Sequence, residues 1–494
     1  MGAHGATARR AGGRRRALVL ALLLVLCLAG CRTSPVTGRA EFMLLTEDDE
    51  VALGHSNHPN VVFMYDGEYH DPELNRYLGT LVMRLHECSH RPQMPMEFTM
   101  LNTSVLNAFA TPAHVYATRG FLARLENEAQ FAAVMAHELA HVAAGHSARQ
   151  LSRNLVISLA LGVADYAAGD SVASGLAMGA GKVGVALLGL SYSREQERQA
   201  DRVGAYYMAL AGWDPRQAIA MQKLLNSFRE DEPSFLDQYL STHPMTDNRV
   251  EEIQSVIEQM QIASRYVQGD GVYSDRWGSR LERLREVDRA FAPYDEGLKA
   301  LSEKRFDQAL EGANEALGIR EDQAQFWRLK GDALLGLGLT DQAREAYRES
   351  LERDERYVLA NLGLGRAYLA EGNDEAAERE FEKVRHDYPG SVVARHGLGV
   401  ARFRQGRYAE AAEPLSTVAR QTEDPAVWYL LGVSYDRAGD SRAAFQAYQN
   451  ALNRGLSGQQ RDAAQDRLYR LREGVEPRPQ EPEQLSPPLR QRSA

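Results

Sequence analysis

The stretch His137-Glu138-Leu139-Ala140-His141 lies in a segment, Glu126 to about Leu151, where Phe131, Val134, Met135, Leu139 and Val142 recur at helical spacing. The segment therefore reads as one long helix. Residues four apart on a helix project from the same side, so His137 and His141 can present both imidazoles to a single Zn2+ ion. Glu138 sits beside them, placed to take a proton from a metal-bound water. A tetrahedral catalytic zinc needs a third protein ligand and one open position. A glycine at 144 and a histidine at 147 would supply that ligand nearby, but these positions are Ala144 and Ser147. His146 is one residue off; it reads as a polar helix-end residue, with a role in the site as the alternative. The better source is Glu195-Gln196-Glu197-Arg198-Gln199-Ala200-Asp201, on a helix expected from about Ser193 to Ala211 with Gly212 as its C-terminal cap. Glu197 and Asp201 are four apart, so one carboxylate can bind metal while the other orients an imidazole. Without the histidine pair, such spacing would signify only a solvated acidic face.

Outward from these helices, residues 31–265 read as mainly α with a small β-sheet. Pro72 to Leu85 has helical periodicity, with Pro72 suited to a first turn. Glu97–Leu101 and Val115–Thr118 are strand-like runs around a loop containing Pro112. Leu155–Leu190 is rich in Gly and Ala, and only Asp165, Asp170 and Lys182 are charged. A buried or lid-like helical hairpin is the preferred reading, with an inner-membrane span as the alternative.

After a polar stretch at 266–290, read as a linker, the chain repeats. Gly297, Gly331, Gly365, Gly399 and Gly432 recur every 33 or 34 residues. Ala309, Ala343, Ala377, Ala411 and Ala444 follow twelve residues later, and Ala313, Tyr347, Phe381, Leu415 and Tyr448 sixteen later. This is the pattern of an α-solenoid of TPR helix pairs over 291–473, in which neighbours must stack because no pair buries its apolar face alone. Residues 474–494 hold five prolines and read as a disordered tail.

A chain of 494 residues exceeds one hydrophobic core, so several domains are expected. The formal charge is −10, and residues 1–30 carry five arginines and no acid, so removing that segment leaves −15. Nothing in this balance favours nucleic acid as a partner. Arg9 to Arg16 form a basic start and Ala17 to Ala29 an apolar run too short to span a bilayer. Leu28-Ala29-Gly30-Cys31 ends it and resembles a bacterial lipoprotein signal, implying cleavage before Cys31 and lipidation there. Multiple acyl chains would hold the protein to a membrane. Arg32, in place of the aspartate associated with inner-membrane retention, favours the outer membrane, facing the periplasm. Cys27 is then discarded and Cys31 consumed, leaving Cys88 alone as a packing residue with no intrachain disulfide.

Taken together, His137 to His141 with Glu197 and Asp201 resemble the HtpX and CAAX-prenyl-protease-like gluzincin family. Asn107-Ala108-Phe109-Ala110, Thr118-Arg119-Gly120-Phe121 and Thr242-His243-Pro244 with Arg249 are similar to further family elements. Ser34 to Arg39 is similar to the start of its lipoprotein members. The resemblance implies one Zn2+ per chain held by His137, His141 and Glu197, with Glu138 as general base and Asp201 behind a ligand. It implies that His243 can fill the fourth metal position and keep the enzyme latent, and that His243 and Arg249 can stabilise an oxyanion once it is displaced. It also implies an edge strand at 107–110 that pairs with extended substrate. Family members often have Gly-Gly where this chain has Ala113-His114, which puts the shape of the groove in question; His114 as a further ligand is disfavoured. By resemblance, clients are misassembled outer-membrane proteins, with their assembly machinery as partner through the TPR array. The rival reading is a TPR lipoprotein that scaffolds or chaperones this assembly with proteolysis dispensable.

Overall fold

The structure, a computed structural model, describes residues 31–168, 191–231, 239–244, 249–260 and 267–473. The expected signal segment at 1–30, the expected disordered tail at 474–494 and most of Leu155–Leu190 lie outside the described residues. No described helix is long and apolar enough to cross a membrane. The chain divides into two compact units, Met1–Arg289 and Ala290–Ala494.

The first unit begins with the hairpin β1 (Cys31–Thr33) and β2 (Ala40–Phe42), followed by α1 (Glu47–Met64) and α2 (Pro72–Glu87). Thr46 caps α1 in a reciprocal capping box with Asp49, and Asp71 caps α2 ahead of Pro72. Strands β3 (Glu97–Leu101), β4 (Ala108–Thr111) and β5 (His114–Thr118) form a sheet in the order β3-β5-β4. β5 runs parallel to β3 and antiparallel to β4, with Phe109 opposite Tyr116. β4 is therefore an edge strand among the described residues, as the family resemblance implied. Its turn to β5 places Ala113 in the left-handed region, at φ 69°, where a glycine would sit without strain.

Helix α3 (Arg119–Arg124) leads into α4 (Glu128–Ala143) and α5 (His146–Ala168). The single helix expected over Glu126–Leu151 is thus two helices. Gly145 stops the first at φ 67°, a conformation that costs other residues about 1–2 kcal/mol. Every residue of α4 is buried, so its apolar stripe marks a helix enclosed on all sides. Asn127 caps it, accepting from Gln130 N at 2.8 Å. Next come α6 (Arg194–Leu210), α7 (Gln217–Asp231) and α8 (Arg249–Met260). Gly212, at φ 93°, follows α6 as expected of a terminating glycine.

Helix α9 (Ser274–Ser302) replaces much of the linker expected at 266–290. Trp277, Leu281, Leu284 and Val287 form a buried stripe that the surrounding charges hid in the sequence. Trp277 Nε1 donates to Leu125 O at 3.0 Å, and Arg276 pairs with the buried Glu128 carboxylate. Those contacts fix the N-terminal half of α9 to the first unit beside the start of α4.

In the second unit, α10 (Phe306–Ile319), α11 (Ala324–Gly336), α12 (Thr340–Arg353), α13 (Val358–Glu371) and α14 (Asp374–Asp387) follow. They continue as α15 (Val392–Arg404), α16 (Tyr408–Ala419), α17 (Pro425–Arg437), α18 (Ser441–Asn453) and α19 (Gly458–Glu473). The repeat register has a direct steric cause. A Cβ at Gly331 would come 2.6 Å from the Tyr347 ring, one at Gly365 2.8 Å from Phe381, and one at Gly432 2.7 Å from Tyr448. The glycines admit the bulky residue sixteen positions on, and Ala309, Ala343, Ala377, Ala411 and Ala444 are fully buried where helices cross. In the first repeat Ala313 is small, and Gly297 meets Leu329 instead.

Candidate metal centre

Helices α4 and α6 bring the expected ligands together. They pack tightly at Gly204, where a Cβ would lie 3.0 Å from His137 N and 3.1 Å from Ala136 C. This contact draws the first turns of α6, and with them Glu197, against the imidazoles of α4. Ser193 starts α6 in a capping box with Gln196, which sets the phase that points Glu197 inward. One donor atom from each of His137, His141, Glu197 and His243 lies within 4.8 Å of the others, and all four residues are buried.

His137 Nε2 and His141 Nε2 are 3.0 Å apart; Glu197 oxygens stand 3.5 Å from the former and 3.4 Å from the latter. Nearby nitrogen and carboxylate donors in a buried cleft suit zinc. Glu138 Oε1 and Glu197 Oε2 are buried without a hydrogen-bond partner, which is costly unless a cation or water uses them. The residues therefore fit the metal that the sequence implied.

Around this set lies a shell that fixes it. Asp201 Oδ1 accepts from His137 Nδ1 at 2.9 Å, leaving Nε2 to face the cleft. Arg249 donates to both Asp201 oxygens, from Nε at 2.7 Å and NH2 at 2.8 Å. Its NH1 is 3.1 Å from Glu197 Oε2 but not aligned for a hydrogen bond. The guanidinium, expected at an oxyanion, is thus mostly committed to bracing two carboxylates.

His146, read from sequence as a helix-end residue, is fully buried against the site. Its Nε2 donates to Gln199 Oε1 at 3.0 Å, so its Nδ1 accepts from His141 Nδ1 at 2.8 Å. This relay holds His141 Nε2 as the lone-pair donor. Sequence reasoning held a site role for His146 only as the alternative, because the relay exists only after Gly145 turns the chain. Tyr192, which sequence reasoning missed, lies with its ring centroid 3.9 Å from that of His141, and its hydroxyl is 3.1 Å from Ser147 Oγ.

His243 Nδ1 is 3.0 Å from Glu197 Oε1, and Nε2 is 3.5 Å from Glu138 Oε1. Its ring stacks on Tyr239 at 4.8 Å. The imidazole is therefore wedged between a ligand carboxylate and the candidate base. His114, by contrast, stands apart from the centre, with Nε2 2.9 Å from His55 Nδ1 and its ring stacked on His58.

Electrostatics follow from this crowding. Burial pushes the Glu138 carboxyl up, partly offset by His243, His137 and a backbone hydrogen bond from Ala110 on the edge strand. Burial also pushes Glu197 up, but His243, His137 and His141 hold it far below the usual carboxylate range. For His137 burial lowers the pKa, yet hydrogen bonds to Asp201 and Glu197 raise it to about 9. Burial pushes His141 well below its ordinary value, so a neutral imidazole stands beside the Glu197 carboxylate.

The comparisons with known proteins agree with the geometry. The profile of peptidase family M48 matches residues 72–257, and a tetratricopeptide-repeat profile matches four overlapping segments between 294 and 464. Residues 72–257 thus match a peptidase family M48 domain ahead of TPR repeats, and the buried cluster of His137, His141, Glu197 and His243 lies inside that match. It is 26% identical to the beta-barrel assembly-enhancing protease of Escherichia coli O157:H7, over 62% of this chain and 67% of that one. It is 24% identical to the protein of that name from Yersinia pestis, over 79% and 85%. The mitochondrial metalloendopeptidase OMA1 of Arabidopsis thaliana is 32% identical over 33% of this chain and 31% of its own.

Proposed function

We propose that this chain is a zinc-dependent endopeptidase of the bacterial envelope, lipid-anchored at Cys31 to the outer membrane and facing the periplasm. Its work is quality control or assembly of outer-membrane proteins, with misassembled ones as substrates and their assembly machinery engaged through the TPR array. The convergence of His137, His141 and Glu197 around one point, with Glu138 alongside, carries this reading. The relatives named for β-barrel assembly support its cellular side.

Bound zinc would polarise the scissile carbonyl and acidify water held there. Glu138, raised by burial, takes that proton and returns it to the leaving amine. The Ala110 backbone joins β4 to Glu138, so an extended peptide paired on the free edge of β4 runs past the base. His243 fills the space between Glu138 and Glu197 and must move for substrate to enter. Asp201, Arg249, His146 and Gln199 hold the ligand rings and keep their tautomers.

Replacing Glu138 by Gln tests the reading. Zinc content should stay at one per chain, while cleavage of an unfolded outer-membrane protein falls by about 10²–10⁴. Loss of zinc, or undiminished cleavage, would refute the assigned role. Full retention of cellular function by E138Q would instead favour the scaffold reading that the TPR array supports.

A further inference from the structure

Resting on the proposed pairing of substrate with β4, we infer that His55, His58 and His114 form an acid-sensitive clasp that positions this edge strand. With neutral rings the clasp holds the β4–β5 turn against α1; protonation opens it and weakens the binding of extended substrate. The three imidazoles come from two elements. His55 and His58 lie about one turn apart on α1, and His114 opens β5. His55 Nδ1 is 2.9 Å from His114 Nε2, and the His58 ring stacks on that of His114 at 4.4 Å and 11°. His58 Nδ1 also meets the Tyr116 hydroxyl at 3.0 Å. One residue before His55, Gly54 lies so close to the turn that a Cβ would be 1.7 Å from Pro112 O. Helix α1 thus grips two β5 residues that pair with β4, since Thr111 is opposite His114 and Phe109 opposite Tyr116. Among the described residues β4 has no strand on its other side, so its place depends on β5 and the turn. The same strand carries Ala110, whose backbone bonds Glu138. A turn released from α1 therefore loosens the strand on which substrate must lie, beside the base.

The contacts themselves make the clasp sensitive to acid. A bond between two ring nitrogens needs a proton on one and a lone pair on the other. When both rings are charged, His55 and His114 face each other with two N–H groups across 2.9 Å. A charged His58 would add a third cation over the face of His114. His114 is 2% exposed, and its Nδ1 is buried without a hydrogen-bond partner, so a cationic ring leaves that N–H unsatisfied. The acids facing the cluster are Glu68, 3.6 Å from His58 Nε2, and Glu97 of β3, 3.9 Å from His114 Nδ1. Their side chains are 43% and 69% exposed, so water screens both, and β4 carries no titratable residue. Burial, with the charges of His58 and His55 adding to it, holds His114 down to about 4. An opened turn hands this ring to water and an ordinary value of about 6.5. The open form then binds more protons and gains weight as pH falls from about 6.5 towards 4. At pH 4.5 opening should be about 10–100-fold more frequent than at pH 7.5.

Hydrogen exchange read by mass spectrometry on the zinc-loaded full chain tests the clasp. Peptides covering 105–118 are compared with the TPR helix α13 at about pH 7.5 and 4.5, after correction for intrinsic rates. Protection of 105–118 should fall about 10–100-fold in wild type and less than about 3-fold in His114→Gln, with α13 unchanged. The pair His55→Gln and His58→Gln, at exposed and half-buried positions, should give an intermediate fall, and it decides the matter if His114→Gln does not fold. Equal falls in wild type and variants, or no fall in wild type, overturn the inference. For cleavage of an unfolded outer-membrane protein, KM should rise several-fold from about pH 7.5 to 5 in wild type and less in His114→Gln, while kcat follows one pH course in both. An equal rise in KM overturns the link to substrate. Absence of cleavage at every pH would refute the proposed peptidase, and the exchange result would still decide the clasp.

Discussion

Replacing Arg249 by methionine separates two roles that its position allows. The substitution keeps much of the side-chain volume but removes the guanidinium that bridges Asp201 and Glu197. Glu197 is buried and the Asp201 side chain is only 10% exposed, so each loses a close cation in a region that water screens little. Breaking a buried ion pair from one side costs about 3–5 kcal/mol. At roughly 2–4 °C per kcal/mol for a unit of this size, the transition of the protease unit should fall by about 6–20 °C in chelator. Zinc would return positive charge to the same carboxylates, so saturating metal should close part of the gap. Differential scanning fluorimetry of wild type and R249M, with chelator and with zinc, measures both effects. A midpoint in chelator within about 2 °C of wild type would refute the bracing argument. If kcat nonetheless collapsed, Arg249 would act on the oxyanion alone.

Three further outcomes are expected. His243→Ala should raise hydrolysis of an unfolded substrate by about 5–150-fold, the range for a coupling of 1–3 kcal/mol, and a lower rate would show that His243 serves the chemistry. Ala113→Gly should stabilise the fold by about 1 kcal/mol, because it relieves a non-glycine residue at φ 69°; unchanged denaturant midpoints would count against strain there. Burial, with His58 and His55 adding to it, pushes His114 down to about 4. The unfolded chain then binds more protons between pH 6.5 and 4, so stability should be full above pH 6.5 and drop by about 3 kcal/mol as pH falls through that window. His114→Phe should flatten this slope, and an unchanged urea-midpoint profile would refute the assignment.

Much of the centre was legible because its chemistry has short-range signatures. Two imidazoles four apart share a helix face in any fold, as do Glu197 and Asp201. The TPR register was equally plain, since a glycine admitting a ring sixteen residues on recurs at each repeat. The linker at 266–290 was misread because Trp277, Leu281, Leu284 and Val287 are diluted by charges; their stripe becomes meaningful only beside Leu125 and Glu128. Likewise, a helix drawn through Gly145 hid the turn that buries His146.

By itself the sequence determined what repeats or recurs locally: helix faces, repeat period and donor chemistry. Tertiary structure alone decided which groups meet across the fold. Gly204 lets α6 close on His137, Arg249 arrives from a third helix to hold two carboxylates, and His146 reaches His141 by a change of chain direction. Those contacts join residues 48 to 67 positions apart or hinge on one backbone dihedral, and a local pattern carries no trace of either.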